Sequence, residues 1–343
     1  MQSSREPRER GARRGSRARP SGRRPLLSCA LASVAVLGAS AAGTVYVKAR
    51  ADPGPGAVSS TAPSPSASVP SATSGEASVE SVIRSGSTSG STSGSGAWSG
   101  SGSVVDRDVL LAEAMASVTV PDAAAVSVAV LDVESGRSAV HGTGAFDTAS
   151  IVKVDILAAL LLGAQDAGRR LTAREEAYAT AMIEHSDNAS ATALWNSIGG
   201  AAGLDAANLR FGLTGTRGGD GALWGLTRTT AADQLTLLRQ VFGTASALDE
   251  ASRAYLRSLM GQIAADQSWG VSAVADGSAW ALKNGWLPRT ATGLWDVNSI
   301  GRVTSGGRDY LVAVLSDGNR TRAEGIALVE AAAGAALSAF TDA

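Results

Sequence analysis

The chain has 343 residues, 44% of them apolar, and a formal net charge of −1, enough apolar material for a sizeable core in one or two domains. Nine arginines fall within residues 1–24, so the remainder is net acidic and presents no extended basic face for nucleic acid. Cys29 is the single cysteine, and His141 and His185 are the only histidines. A disulfide framework and a cysteine-rich metal site are therefore unavailable, a histidine metal centre or Ser-His-Asp hydrolase is poorly supported, and no metal or other cofactor is expected.

The basic segment 1–25 precedes an uncharged apolar run, 26–47, which Lys48 and Arg50 close. About 20 such residues span a bilayer as a helix, and a positive flank stays cytoplasmic. Residues 26–47 therefore read as a transmembrane anchor that keeps a cytoplasmic tail at 1–25 and places everything after it outside the cytoplasm. The competing reading is a cleaved signal peptide. Arg23-Arg24 resembles a twin-arginine signal, and Ala39-Ser40-Ala41 or Ala49-Arg50-Ala51 a cleavage site. The run is longer than an ordinary signal core, which favours the anchor. Residues 48–104 are rich in Ser, Gly and Pro and bury too little apolar surface to order themselves, so they form a disordered tether.

Globular composition starts at Val105 and continues to Ala343. Val126, Val128 and Val130 alternate with small residues, and a turn at Glu134-Ser135-Gly136 leads into 138–141, the pattern of a β-hairpin. From Ser150 to about Gln165 the apolar residues Ile151, Val154, Ile156, Leu157, Leu160 and Leu161 recur at helical spacing. Further helices are expected at 173–184, 189–197, 201–210, 230–242, 248–261 and 321–340. Thr230 with Asp233 marks one N-terminus. Strands are expected at 279–286, 296–304 and 310–316. This order predicts an α+β domain in which both chain ends build one largely antiparallel sheet, flanked by helices and joined to a helical subdomain.

Beyond Lys48 the chain keeps only two lysines, Lys153 and Lys283. Arginine cannot act as a base, whereas a desolvated lysine can lose its proton. Ser150 and Lys153 are one helical turn apart, so both side chains leave the same face at a helix start. An uncharged amine there can take the proton from a serine hydroxyl, and the helix N-terminus offers N–H groups to an oxyanion. Ser186-Asp187-Asn188 lies between two helical stretches: Ser186 is suited to pass a proton to a leaving nitrogen and Asn188 to hydrogen-bond a substrate amide. Asp187 also suits a helix cap. Lys283-Asn284-Gly285 sits in an apolar strand. Gly285 permits close approach of substrate, and the N–H of Trp286 is a candidate second oxyanion donor.

The three motifs in this order resemble the serine penicillin-recognising enzymes, whose signature is S-x-x-K, S-D-N and K-T-G, and most closely the class A β-lactamase branch. The likeness covers residues 106–343, with Phe146 and Ala149 before the serine, Ile198-Gly199-Gly200, and Arg228-Thr229-Thr230. It implies a β-lactamase/transpeptidase-like fold and catalytic roles for Ser150 (acylated), Lys153 (proton removal) and Ser186 (protonation of the leaving nitrogen). It also implies that Lys283, with Asn284, Gly285 and Trp286, forms the substrate-carboxylate side of the site, and that Asn188 orients the substrate amide. Partners would be a β-lactam or a peptidoglycan stem peptide, with the membrane held by the N-terminal helix and no nucleic acid; a monomer is expected.

Three departures mark the chain. The interval from Ser150 to Ser186 is short for class A enzymes, and Asn284 stands where a hydroxyl residue is usual. The loop Thr214–Gly221, where a deacylating glutamate belongs, has Asp220 as its only carboxylate. Asp220 is thus the candidate deacylation base or simply a turn residue among glycines. Acylation is expected to outpace deacylation, leaving three readings open: a slow β-lactamase-like hydrolase, a D-alanyl-D-alanine peptidase or esterase, and a sensor module without turnover.

Overall fold

The computed structural model describes residues 106–341. The expected tail at 1–25, apolar run at 26–47 and tether at 48–104 lie outside the described residues. The domain opens with α1 (Arg107–Met115), the hairpin β1 (Ala125–Asp132) and β2 (Ser138–His141), and the short β3 (Phe146–Asp147). A 3-10 turn, Ala149–Ile151, runs directly into α2 (Val152–Asp166). Next come α3 (Ala173–Glu184), α4 (Asn188–Ser197), α5 (Gly200–Phe211), the short β4 (Arg228–Thr229), α6 (Ala231–Phe242) and α7 (Glu250–Met260). Strands β5 (Trp280–Pro288), β6 (Trp295–Ser305) and β7 (Arg308–Asn319) precede the closing α8 (Arg322–Thr341).

The five long strands form one antiparallel sheet in the order β2-β1-β7-β6-β5. Chain ends therefore meet in its centre, where β1 pairs with β7, and β5 is left at an edge. The two-residue pair β3 and β4 forms a separate ribbon that composition could not announce. Strand periodicity separates two cores. Val128, Val130, Val312 and Val314 face α1 and α8, whereas Ala129, Leu131, Leu311 and Ala313 face α2 and the rest of the helical block. Each of these valine and leucine side chains contributes about 1.5–3 kcal/mol when fully buried, so both faces hold the sheet. Although α8 is long and apolar enough to cross a membrane, its Val329, Ala332, Ala333, Ala336 and Phe340 are buried against the sheet, as in a core helix.

Local signals set the helix ends. Thr172 and Glu175 complete a capping box on α3, and the side chains of Asp187, Thr230 and Asp249 accept from the first turns of α4, α6 and α7. Gly199 and Gly212 take left-handed conformations at either end of α5. Asp233, beyond its place in the first turn of α6, accepts from Gly215 N at 2.8 Å and Thr216 Oγ1 at 2.7 Å. It thereby ties the loop between α5 and β4 to the helical block.

Helix α2 is buried on nearly every side, and two of its buried residues, Lys153 and Asp155, are ionisable. Burial pushes the Asp155 carboxyl up from 3.8 to about 8, with Asn208 opposing and Asp205 and Asp233 adding to the rise. With its amide turned to donate, Asn208 lies 3.0 Å from both Asp155 oxygens. Because the folded value exceeds the unfolded one, the folded state holds the extra proton between these limits. Asp155 should therefore erode stability progressively as pH rises from about 4 to about 8. Thermal unfolding of Asp155→Asn across this range should show a flatter pH dependence; an unchanged slope would assign the dependence elsewhere.

Candidate active site

Ser150 sits in the 3-10 turn that begins α2, half-buried, with Ala149 behind it in a left-handed conformation at φ 46°. Ser186, in the turn between α3 and α4, has φ 56°. These are the only non-glycine residues with positive φ among the described residues. Each such residue costs on the order of 1–3 kcal/mol and persists only where its surroundings enforce it.

The surroundings of the Ser150 turn are explicit. Asn298 on β6 donates through Nδ2 to the carbonyls of Asp147 at 2.9 Å and Thr148 at 3.1 Å. Thr148 N donates to Thr227 O at 2.9 Å. The Asp147 side chain pairs with Arg228 and Arg289. A Cβ on Gly285 would lie 2.7 Å from both Ser150 N and Thr148 O. Gly285 was expected to let substrate approach the backbone; what approaches is the chain's own serine-bearing turn, docked against β5.

The two lysines converge on one hydroxyl. Lys153 Nζ donates to Ser186 Oγ at 3.1 Å, Ser186 O at 2.6 Å and Asn188 Oδ1 at 2.8 Å. Lys283 Nζ reaches the same Ser186 Oγ at 3.1 Å and its neighbour's carbonyl, Asn284 O, at 3.0 Å. Both lysine side chains are fully buried. Desolvation lowers Lys153 from 10.5 to about 7 against the opposing pull of Asp187. It lowers Lys283 well below its ordinary value, with the charge on Lys153 adding to the effect. Two ammonium groups sharing one hydroxyl repel, so burial and mutual repulsion both favour a neutral amine in the pair.

Strand alternation separates Lys283 from Asn284. Lys283 pairs in register with Ile300 on the face of the helical block, while Asn284 pairs with Ser299 on the α8 face. The Asn284 amide donates to Gln267 O at 2.7 Å and Trp269 O at 3.0 Å. The Asn284 side chain thus points to the face opposite Lys283 and ties β5 to the 3-10 turns Ala265–Gln267 and Gly270–Val274 that precede it. The Trp286 ring packs on Trp269 at 5.9 Å and under Arg322 at 4.2 Å, on the face opposite Lys283. Asp220 is exposed, and its carbonyl closes a turn with Leu223 N at 3.0 Å.

Sequence reading missed Trp224 and Asn298. The Trp224 ring centroid lies 4.9 Å from Lys153 Nζ, and its Nε1 donates to Thr192 Oγ1 at 3.1 Å. Nothing in Leu223-Trp224-Gly225 marks this placement, since the contact spans a loop return. Asn298 carried a faint signal as a polar residue inside a buried strand. Among the described residues no group of three His, Cys, Asp or Glu side chains is placed to hold a metal ion.

This fold and these motifs define a serine-hydrolase scaffold of the β-lactamase kind, and a family model described as the beta-lactamase enzyme family matches residues 162–340. The chain belongs to that family. None of the curated proteins compared with it matches in sequence. Among solved structures it is similar to PBP-A, at 21% identity and a TM-score of 0.59 over 68% of this chain and 97% of that chain. It is also similar to the TLA-3 extended-spectrum beta-lactamase, at 15% identity and a TM-score of 0.58 over 67% of this chain and 96% of that chain. A beta-lactamase from Chitinophaga pinensis aligns at 17% identity with a TM-score of 0.56, over 67% of this chain and 97% of that chain.

The docking of Gly285 yields a direct expectation. Gly285→Ala places a methyl 2.7 Å from two backbone atoms of the Ser150 turn, and relieving such overpacking costs about 1–3 kcal/mol. A lowered unfolding midpoint together with slowed labelling by a fluorophosphonate would show it; wild-type behaviour in both would contradict the docking.

Proposed function

We propose that the domain is an extracytoplasmic active-site-serine hydrolase that is acylated at Ser150 by a β-lactam or a related amide or ester, and that releases the acyl group slowly. The observation that carries this reading is the convergence of Lys153 and Lys283 on Ser186, beside a strained turn bearing Ser150. Neutral Lys153 takes the Ser150 hydroxyl proton as Oγ attacks the carbonyl carbon. Ser150 N and Trp286 N receive the developing oxyanion. As the carbon–nitrogen bond breaks, Ser186 delivers a proton to the departing nitrogen and is resupplied from the lysine pair. Asn188 orients the substrate amide, and Lys283 supplies positive charge for the substrate carboxylate once that anion is bound. The apolar run at 26–47 would hold the domain outside the cytoplasm, or direct its secretion if cleaved.

Hydrolysis of the acyl-enzyme needs a water and a base, and the loop 214–227 brings no glutamate. This favours acyl retention, as in a penicillin-binding peptidase or sensor, over fast β-lactam turnover. A PBP-A variant has been solved as an acyl-enzyme complex with penicillin G, so a neighbour on this fold forms such an adduct.

Intact-mass measurement after mixing with a penicillin tests the reading: wild type should gain one acyl group that persists, and Ser150→Ala none while its thermal stability is nearly unchanged. Labelling of Ser150→Ala would overturn the assignment of the nucleophile. With Lys153 near 7, the free amine grows as pH rises, so acylation should fall on an acid limb below about 7 and level off above it. Lys153→Arg, which cannot give up its proton, should lose about 10²–10⁴-fold in acylation rate. Turnover of a chromogenic cephalosporin should show a burst and then a slow steady state. Asp220→Asn should leave both phases as they are; loss of the slow phase in that variant would make Asp220 the deacylation base.

A further inference from the structure

The loop 214–227, which brings no glutamate to the site, is held by specific contacts. Gly218 N donates to Asp205 at 2.8 Å, Gly219 N to Thr227 Oγ1 at 3.1 Å, and Trp195 Nε1 to Gly221 O at 2.8 Å. Two of its glycines are required by contact: a Cβ on Gly218 would lie 2.7 Å from Ala201 Cα, and one on Gly219 would lie 2.1 Å from Leu223 O. The chain thus folds back flat on itself and delivers Trp224 onto Lys153, with the indole N–H fastened to Thr192. The next residue, Gly225, abuts the serine turn, since a Cβ there would be 3.9 Å from Ala149 Cα.

We propose that Trp224 is a positioning residue that seals Lys153 from water, and that the glycine-rich loop exists to hold this seal. The proposal rests on the serine-hydrolase reading for its effect on the acyl group, but its effect on Lys153 does not depend on any substrate. An indole face attracts an ammonium group by only about 0.5–2 kcal/mol and offers no lone pair to hold or activate a water. Water in its place would solvate the charged amine better and would stand next to the acyl carbon. Other groups facing Lys153 are Ser186 and Asp187 from the turn before α4, Asn188 at the start of α4 and Lys283 from β5. Removing the ring therefore raises the proton affinity of Lys153 and opens a path for hydrolysis, two effects that a structural tryptophan elsewhere would not produce.

Lys48, Lys153 and Lys283 are the only lysines of the chain, so lysine-selective isotope labelling of the full-length protein follows Lys153 by NMR as pH is changed. Trp224→Ala should move the Lys153 midpoint up by about one pH unit and shorten the lifetime of the penicillin adduct read by intact mass. Trp224→Phe, which keeps an aromatic face but not the hydrogen bond to Thr192, should stay near wild type in both. Should Trp224→Ala not fold, Trp224→Leu, a smaller opening, should shift both readouts in the same direction by less. A Lys153 midpoint unmoved in the folded variant overturns the proposal. Failure of the wild type to form any adduct would instead count against the serine-hydrolase reading, while the titration still decides the role of Trp224.

Discussion

Two buried amines sharing one serine hydroxyl are the constraint around which the rest of this domain is organised. Ser186 Oγ lies 3.1 Å from both Lys153 and Lys283, and neither lysine has solvent to disperse its charge. Removing an ammonium from water costs several kcal/mol even after relaxation, so the fold must hold these groups in place against their own hydration. Much of the architecture answers that demand. Helix α2 is buried along its length, β5 presses Lys283 inward from the sheet edge, and the α3–α4 turn holds Ser186 at positive φ. Asp187 does two things at once: its carboxylate caps α4 through Ser190 N at 2.6 Å, and it is the anion that opposes the fall of the Lys153 proton affinity.

The same sheet edge positions the serine. Antiparallel pairing of β1 with β7 brings the two ends of the domain together, and β6 and β5 then extend the sheet to the start of α2. Gly285 allows backbone to meet backbone there, and Asn298 fastens the turn with two hydrogen bonds from the neighbouring strand. Strain at Ala149 is thus held by contacts on three sides: β5, β6 and the Thr227 end of the loop. A serine poised in this way does not depend on substrate to assemble its turn.

The family to which the chain belongs includes enzymes that hydrolyse β-lactams, and its fold also serves PBP-A. A compact glycine-rich loop presents an indole to Lys153 and leaves Asp220 in solvent.

Most of the secondary structure was legible in the residues alone, because it follows from local periodicity and caps. The hairpin at 125–141, the boundaries of α3, the N-cap of α6 and the alternating late strands all depend on residues within a turn or two of each other. Ser150, Lys153, Ser186 and Lys283 could likewise be picked out, since a rare residue type at helical spacing carries a chemical meaning before any folding is considered. Which of these side chains share one cavity is a different kind of fact. Asn284 and Lys283 are adjacent in the chain and on opposite faces of the sheet, a consequence of pleat and register. Gly285 serves the serine turn because a strand about 135 residues downstream is packed against it. Trp224 reaches Lys153 only because the loop closes on Asp205, Asp233 and Trp195, contacts set by helices that flank it on both sides in sequence. The amino-acid sequence determined the elements and the chemical types available to the site; the tertiary structure alone decided which groups meet, because long-range packing and strand register fix distances that no local pattern encodes.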